Sequence, residues 1–265
     1  MPSVVLAAHG TRDPAGAPAV LAIAAAVRER LSTRVEVGWL STGEPTFAEL
    51  VTRARPDVVV PLLLGTGHHV LVDIPRIVAG TAGDRPDATG RSATIDVPAA
   101  TDLPAGLLGA SRPTAPVVTP HLGPAREIVI ALAERVRAVD PEPVAVVLAA
   151  AGTSHPVGRS ETRQAADLLS QFLGVPVRVA YASGAGPDVT EAVRTLQASG
   201  ARRVSVLPYV LAPGVFAERI RTAAESVGAV TAGVLAAHPG VVDLVVRRVC
   251  AAAAAIPRSP QARAA

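Results

Sequence analysis

Residues 4–14, Val4-Val5-Leu6-Ala7-Ala8-His9-Gly10-Thr11-Arg12-Asp13-Pro14, return as residues 146–156, Val146-Val147-Leu148-Ala149-Ala150-Ala151-Gly152-Thr153-Ser154-His155-Pro156, at an offset of 142. At that offset residues 35–40 fall on 177–182, and Pro45 falls on Pro187. A third apolar run, 58–64, returns as 205–211 with the offset grown to 147, pairing Pro61 with Pro208 and Gly67 with Gly214. A repeat of this length duplicates a whole domain and is no solenoid unit. The 265 residues accommodate two such domains. The expected division is 1–120, then 121–252, with residues 253–265 as a flexible tail rich in Ala, Pro and Arg.

Each unit reads as alternating strands and helices. The run ending at Ala8 is short, apolar and closed by a Gly/Pro turn, which predicts a buried strand. Val20, Ile23, Ala24, Val27 and Leu31 then recur at helical spacing. A second strand covers 35–40, followed by a helix from about Pro45, in its first turn, to Arg53. Residues 57–64 are apolar enough for a strand buried on both faces, and a helix follows Asp73-Ile74-Pro75. A connection over 80–92 leads to a fourth strand at 94–98, and 101–120 reads as a short helix plus linker. The fold class is therefore α/β: two tandem doubly wound parallel-sheet domains with a cleft between them.

Composition removes several functions. No lysine occurs, which excludes Schiff-base chemistry and the P-loop lysine, and Gly65-Thr66-Gly67 lacks the third glycine of a dinucleotide fingerprint. No nucleotide is expected. The 25 basic residues are arginines scattered among 22 acids, without a basic stripe, and aromatics are only 2%, so no nucleic-acid partner is expected. The single Cys250 excludes an internal disulfide and a thiolate cluster, and its apolar surroundings predict a buried thiol. With neither a secretory n-region nor a membrane-length apolar run, the expectation is a cytoplasmic protein with no membrane partner.

The repeat acts as an internal control. His9 has become Ala151, Arg12 has become Ser154, Glu44 has become Gly186, and His69 faces Phe216. Each loss falls after a strand of the first half, where ligands of such folds sit. The second half keeps the fold without these residues, so they read as a site and the second half as scaffold or lid. Taken singly they have ordinary uses: Glu44 as an acid near a helix start, Arg12 with Asp13 as an exposed pair, His68 and His69 as neighbours of which at most one faces a ligand. His121, His155 and His238 lie in the linker or the second half. Together, His9, Glu44 and His69 sit after three neighbouring strands. Two imidazoles and a carboxylate suit a first-row divalent metal, and two strong ligands leave coordination positions open.

The segments 8–14, 61–70 and 73–75, with Ala8-His9-Gly10-Thr11-Arg12-Asp13-Pro14, Gly65-Thr66-Gly67-His68-His69-Val70 and Asp73-Ile74-Pro75, resemble the sirohydrochlorin chelatases, the class II chelatases of siroheme and cobalamin synthesis. The resemblance extends over nearly the whole chain. It implies a two-domain chelatase-like fold that binds the tetrapyrrole between its halves and inserts Fe2+, Co2+ or Ni2+ as substrate, without ATP. It also implies catalytic roles for His9, Glu44 and His69, with the metal held by His9 and His69 and protons taken up at Glu44. Gly10, Thr11, Arg12, Thr66, Gly67 and His68 become the expected sirohydrochlorin contacts, with Arg76 a weaker one. Thr11 stands where relatives more often carry serine, and keeps the hydroxyl. With no counterpart histidine in the second half, one site per chain is expected, and the two-domain length suggests a monomer whose second half does the job of a partner subunit. Iron insertion is the first expectation, cobalt or nickel the alternatives. A non-catalytic tetrapyrrole or metal carrier and a metal-dependent hydrolase are the competing classes.

Overall fold

The computed structural model describes residues 2–83, 115–184 and 186–256. In the first half, β1 (Val4–Gly10), β2 (Val35–Thr42), β3 (Val58–Leu62) and β4 (Val117–Val118) form a parallel sheet ordered β2-β1-β3-β4. In the second, β5 (Val146–Ala150), β6 (Val177–Tyr181), β7 (Ser205–Tyr209) and β8 (Val230–Thr231) repeat it as β6-β5-β7-β8. The central strands β3, β5 and β7 are buried at every position, as unbroken apolar runs require when helices cover both faces. The expected duplicated α/β fold is what the chain forms.

Helices α1 (Gly16–Leu31), α2 (Phe47–Ala54) and α3 (Ile74–Gly83) follow the first three strands. Their counterparts are α5 (Pro156–Leu173), α6 (Val189–Ala198) and α7 (Val215–Glu225); α4 (Arg126–Val139) follows β4 as α8 (Pro239–Ala255) follows β8. Phe47, Leu50 and Val51 of α2 and Ile74 and Val78 of α3 form one small core with the outer face of the first sheet. The inner faces of both sheets share a single larger core with α1, α4, α5 and α8. Much of that sharing runs through α8, which packs on α4, α1 and β3, with Arg30 of α1 bound to Asp243 of α8 at 2.9 Å. The last helix of the second half thus lies against the first, and the halves are interlocked.

Local chemistry moved several boundaries. Pro45 lies outside α2, because Thr46 caps the helix: its side chain accepts from the Glu49 N–H, and Glu49 reaches back to the Thr46 N–H in a capping box. The helix after β3 starts earlier than Asp73, through a π-helical turn His69–Asp73 in which the Ile74 N–H bonds to the His69 carbonyl. The linker reading of 101–120 gives way at β4, which pairs with β3; the sequence also predicts a strand at 94–98. That strand, and the short helix over 101–114, lie outside the described residues. Helix α8 continues to Ala255, so residues 253–255, expected in the tail, are helical; residues 257–265 lie outside the described set. Cys250 is exposed, not buried, because the inward face of α8 is carried by Val245, Val249 and Ala252.

Candidate metal centre

His9 stands where the pairing of β1 with β2 breaks register, between Ala8 and Gly10. Such irregularities re-aim a side chain at a strand end. Gly10 makes the close approach possible: its φ is +91°, and a Cβ there would lie 2.0 Å from the Thr42 carbonyl oxygen. His69 comes from the loop after β3, the other neighbour of β1, and opens the π-helical turn. The two rings meet edge to face, with centroids 4.8 Å apart and planes at 80°.

Each ring is held through the same nitrogen. His9 Nδ1 lies 3.1 Å from the Gly10 carbonyl oxygen, and His69 Nδ1 lies 2.6 Å from a carboxylate oxygen of Asp73. Carbonyl and carboxylate oxygens only accept, so both contacts place a hydrogen on Nδ1, and in the neutral ring the lone pair is then on Nε2. A carboxylate behind a metal-binding imidazole fixes the tautomer and raises the ring's basicity. Asp73 is spaced i, i+4 from His69, a pairing that helical periodicity in the segment 69–73 could have revealed. His68 is largely exposed, 3.5 Å from the other Asp73 oxygen.

Other expected site residues are placed as follows. Glu44 is exposed between β2 and α2, at the same end of the sheet, and Arg12 and Arg76 are exposed too. Among the described residues no group of three or more His, Cys, Asp or Glu side chains is gathered closely enough to hold an ion, so Glu44 does not join the two imidazoles as a third ligand. The Thr11 hydroxyl accepts from the Asp13 N–H at 3.1 Å. Thr66 differs most from its expected use. It is buried, its N–H and hydroxyl donate to Glu161 of α5 at 2.6 and 2.8 Å, and His121 Nε2 lies 3.2 Å from the hydroxyl. Its polar groups face the second half instead of an open surface. The sequence sets His121 aside among the linker and second-half histidines and does not single out Glu161.

The loops at the carboxyl ends of the two sheets meet directly. Tyr209 of β7 donates to the Leu64 carbonyl at 3.1 Å, and Thr153 to the Thr66 carbonyl at 3.4 Å. Burial first, and the Glu161 carboxylate second, push the Tyr209 phenol well above its usual pKa.

Paired parallel sheets, with two imidazoles in contact beyond adjacent strands, define a duplicated α/β protein. The chain belongs to the CbiX family, whose profile matches residues 3–139 and 145–252. A sirohydrochlorin cobaltochelatase of Methanococcus maripaludis is 32% identical over 90 residues, which are 32% of this chain and 62% of that protein. One from Methanocaldococcus jannaschii is 36% identical over 84 residues, 29% of this chain and 59% of the relative. The chain thus spans about three fifths of the length of these relatives. Among solved structures, SirB from Bacillus subtilis with Fe3+ superposes with a TM-score of 0.72 at 22% identity, over 95% of each chain. SirB from the subspecies spizizenii, in complex with cobalt, gives 0.70 at 20% identity, over 98% of this chain and 97% of that one. At such identities the likeness is one of fold.

Proposed function

We propose that the chain is a sirohydrochlorin chelatase, bringing a divalent metal ion and the tetrapyrrole together at His9 and His69 and inserting the ion without a nucleotide. The observation that carries this reading is the His9–His69 pair, each ring fixed through Nδ1 with Nε2 left for a ligand. Two neutral imidazoles hold a first-row ion while leaving positions that the pyrrole nitrogens can take over. The macrocycle must lose its two inner N–H protons as the ion enters. Glu44 and one imidazole take them up, as a carboxylate and a neutral imidazole held close to the reacting nitrogens can. Arg12 meets the substrate's carboxylates, and Gly10, Thr11, Gly67 and His68 line its approach, with Arg76 further out. Thr66 serves the same loop from inside.

Iron is the metal first expected, giving siroheme. Cobalt is the second reading, favoured by the relatives named as cobaltochelatases. Among the described residues no helix is long and apolar enough to cross a membrane, and we place the protein as a monomer in the cytoplasm.

The test is an anaerobic absorbance assay of sirohydrochlorin with Fe2+, Co2+ or Ni2+, using wild type, His9→Ala and His69→Ala. Insertion above the uncatalysed rate, lost in both variants, is the expected result and ranks the metals. Tetrapyrrole binding without acceleration would make the protein a carrier and remove the catalytic role of Glu44.

A further inference from the structure

We infer that Glu161, supplied by the second half, is a positioning residue for the metal-holding loop of the first: its carboxylate clamps Thr66 and so sets where His69 stands. The inference rests on the metal-site reading above. One carboxylate oxygen takes the Thr66 N–H at 2.6 Å, and the other takes the Thr66 hydroxyl at 2.8 Å and faces His121 Nε2 at 3.2 Å. The Thr66 hydroxyl gives its hydrogen to Glu161, so both oxygens around His121 Nε2 accept and that nitrogen carries the proton. The result is a closed triangle of Thr66, Glu161 and His121. It is joined to the histidine loop because the Gly67 carbonyl accepts from the Leu71 N–H at 3.1 Å, inside the π-helical turn that begins at His69.

The duplication shows that the fold alone does not call for this clamp. At the offset of 142, Glu161 corresponds to Ala19, and at 147 Thr66 corresponds to Pro213, which has neither an N–H nor a hydroxyl to give. The matching crossing between α1 and the loop after β7 is therefore made without a carboxylate. Glu161 is only 18% exposed, a costly place for an anion unless its lone pairs are used. Among the described residues the carboxylate tie stands on the side whose loop carries His69. The second half is more than scaffold.

The experiment measures Co2+ alone binding to the full chain, by calorimetry and by the visible absorption of the bound ion, in wild type, His69→Ala, Glu161→Ala, Glu161→Gln and Thr66→Val. Loss of a supporting hydrogen bond behind a metal ligand lowers affinity about 10–100-fold. We expect that loss with an altered cobalt spectrum in Glu161→Ala, and a smaller one in Glu161→Gln, which keeps one acceptor oxygen. Denaturant midpoints report the fold separately; if Glu161→Ala does not fold, Glu161→Gln and Thr66→Val carry the comparison. Wild-type affinity and spectrum in the Glu161 and Thr66 variants, with binding lost in His69→Ala, would overturn the positioning role alone. Undiminished binding in His69→Ala would overturn the metal site itself.

Discussion

Gly158 lies so close to the Thr66 carbonyl that a Cβ on it would stand 2.1 Å from that oxygen, and its repeat counterpart Gly16 stands 2.7 Å from the Pro213 carbonyl by the same measure. The two crossings are related by the duplication, each half pressing the start of a helix onto the other half's third loop. They have the reciprocity of a two-fold dimer interface, held within one chain. Gly158→Ala would ordinarily help a helix by about 1 kcal/mol. Here the obstacle is backbone, and the net effect expected is a loss of about 1–3 kcal/mol, read from the denaturant midpoint. A more stable variant would show that the crossing relaxes freely.

Asp73 fixes the His69 tautomer, so Asp73→Ala should weaken Co2+ binding about 10–100-fold. Asp73→Asn should lose less, since its carbonyl oxygen can still accept from Nδ1. Titration calorimetry of both variants checks the order, and equal affinities would remove the tautomer argument.

The fold was legible because burial on both faces writes long apolar strands, and because duplication supplied the first three strands twice. What the sequence blurred was decided by local hydrogen bonding. Thr46 and Glu49 took the helix start from Pro45, and the π-helical turn drew His69 into the helix that was expected to follow Asp73. His9 and His69 could be paired from strand order alone. Glu161 could not, because its meaning depends on a contact 95 positions away in sequence. The one hint was a glutamate on a helix whose counterpart position holds alanine.

His9→Ala should abolish metal insertion and leave the fold unharmed. His9 is exposed, and the second half folds with Ala151 at the matching place. A change in stability within about 0.5 kcal/mol is expected from chemical denaturation. A collapse in soluble yield would instead make His9 structural.

Tyr209 predicts the alkaline limit of stability. Its phenol is buried, donates to the Leu64 carbonyl, and is held protonated by burial and by the nearby Glu161 charge. An unfolded tyrosine releases its proton near pH 10. Above that pH the unfolded chain loses a proton that the folded chain keeps, so the unfolded state is favoured. The contribution of Tyr209 is therefore complete below about pH 10 and falls as pH rises further, by up to about 1.4 kcal/mol per pH unit. The chain has no lysine to add to the slope in that window. At neutral pH Tyr209→Phe should cost about 0.5–1.5 kcal/mol for the lost hydrogen bond. Its stability should then decline less steeply than wild type, and the two curves should converge between about pH 10 and 11. Parallel curves would assign the alkaline loss to another group.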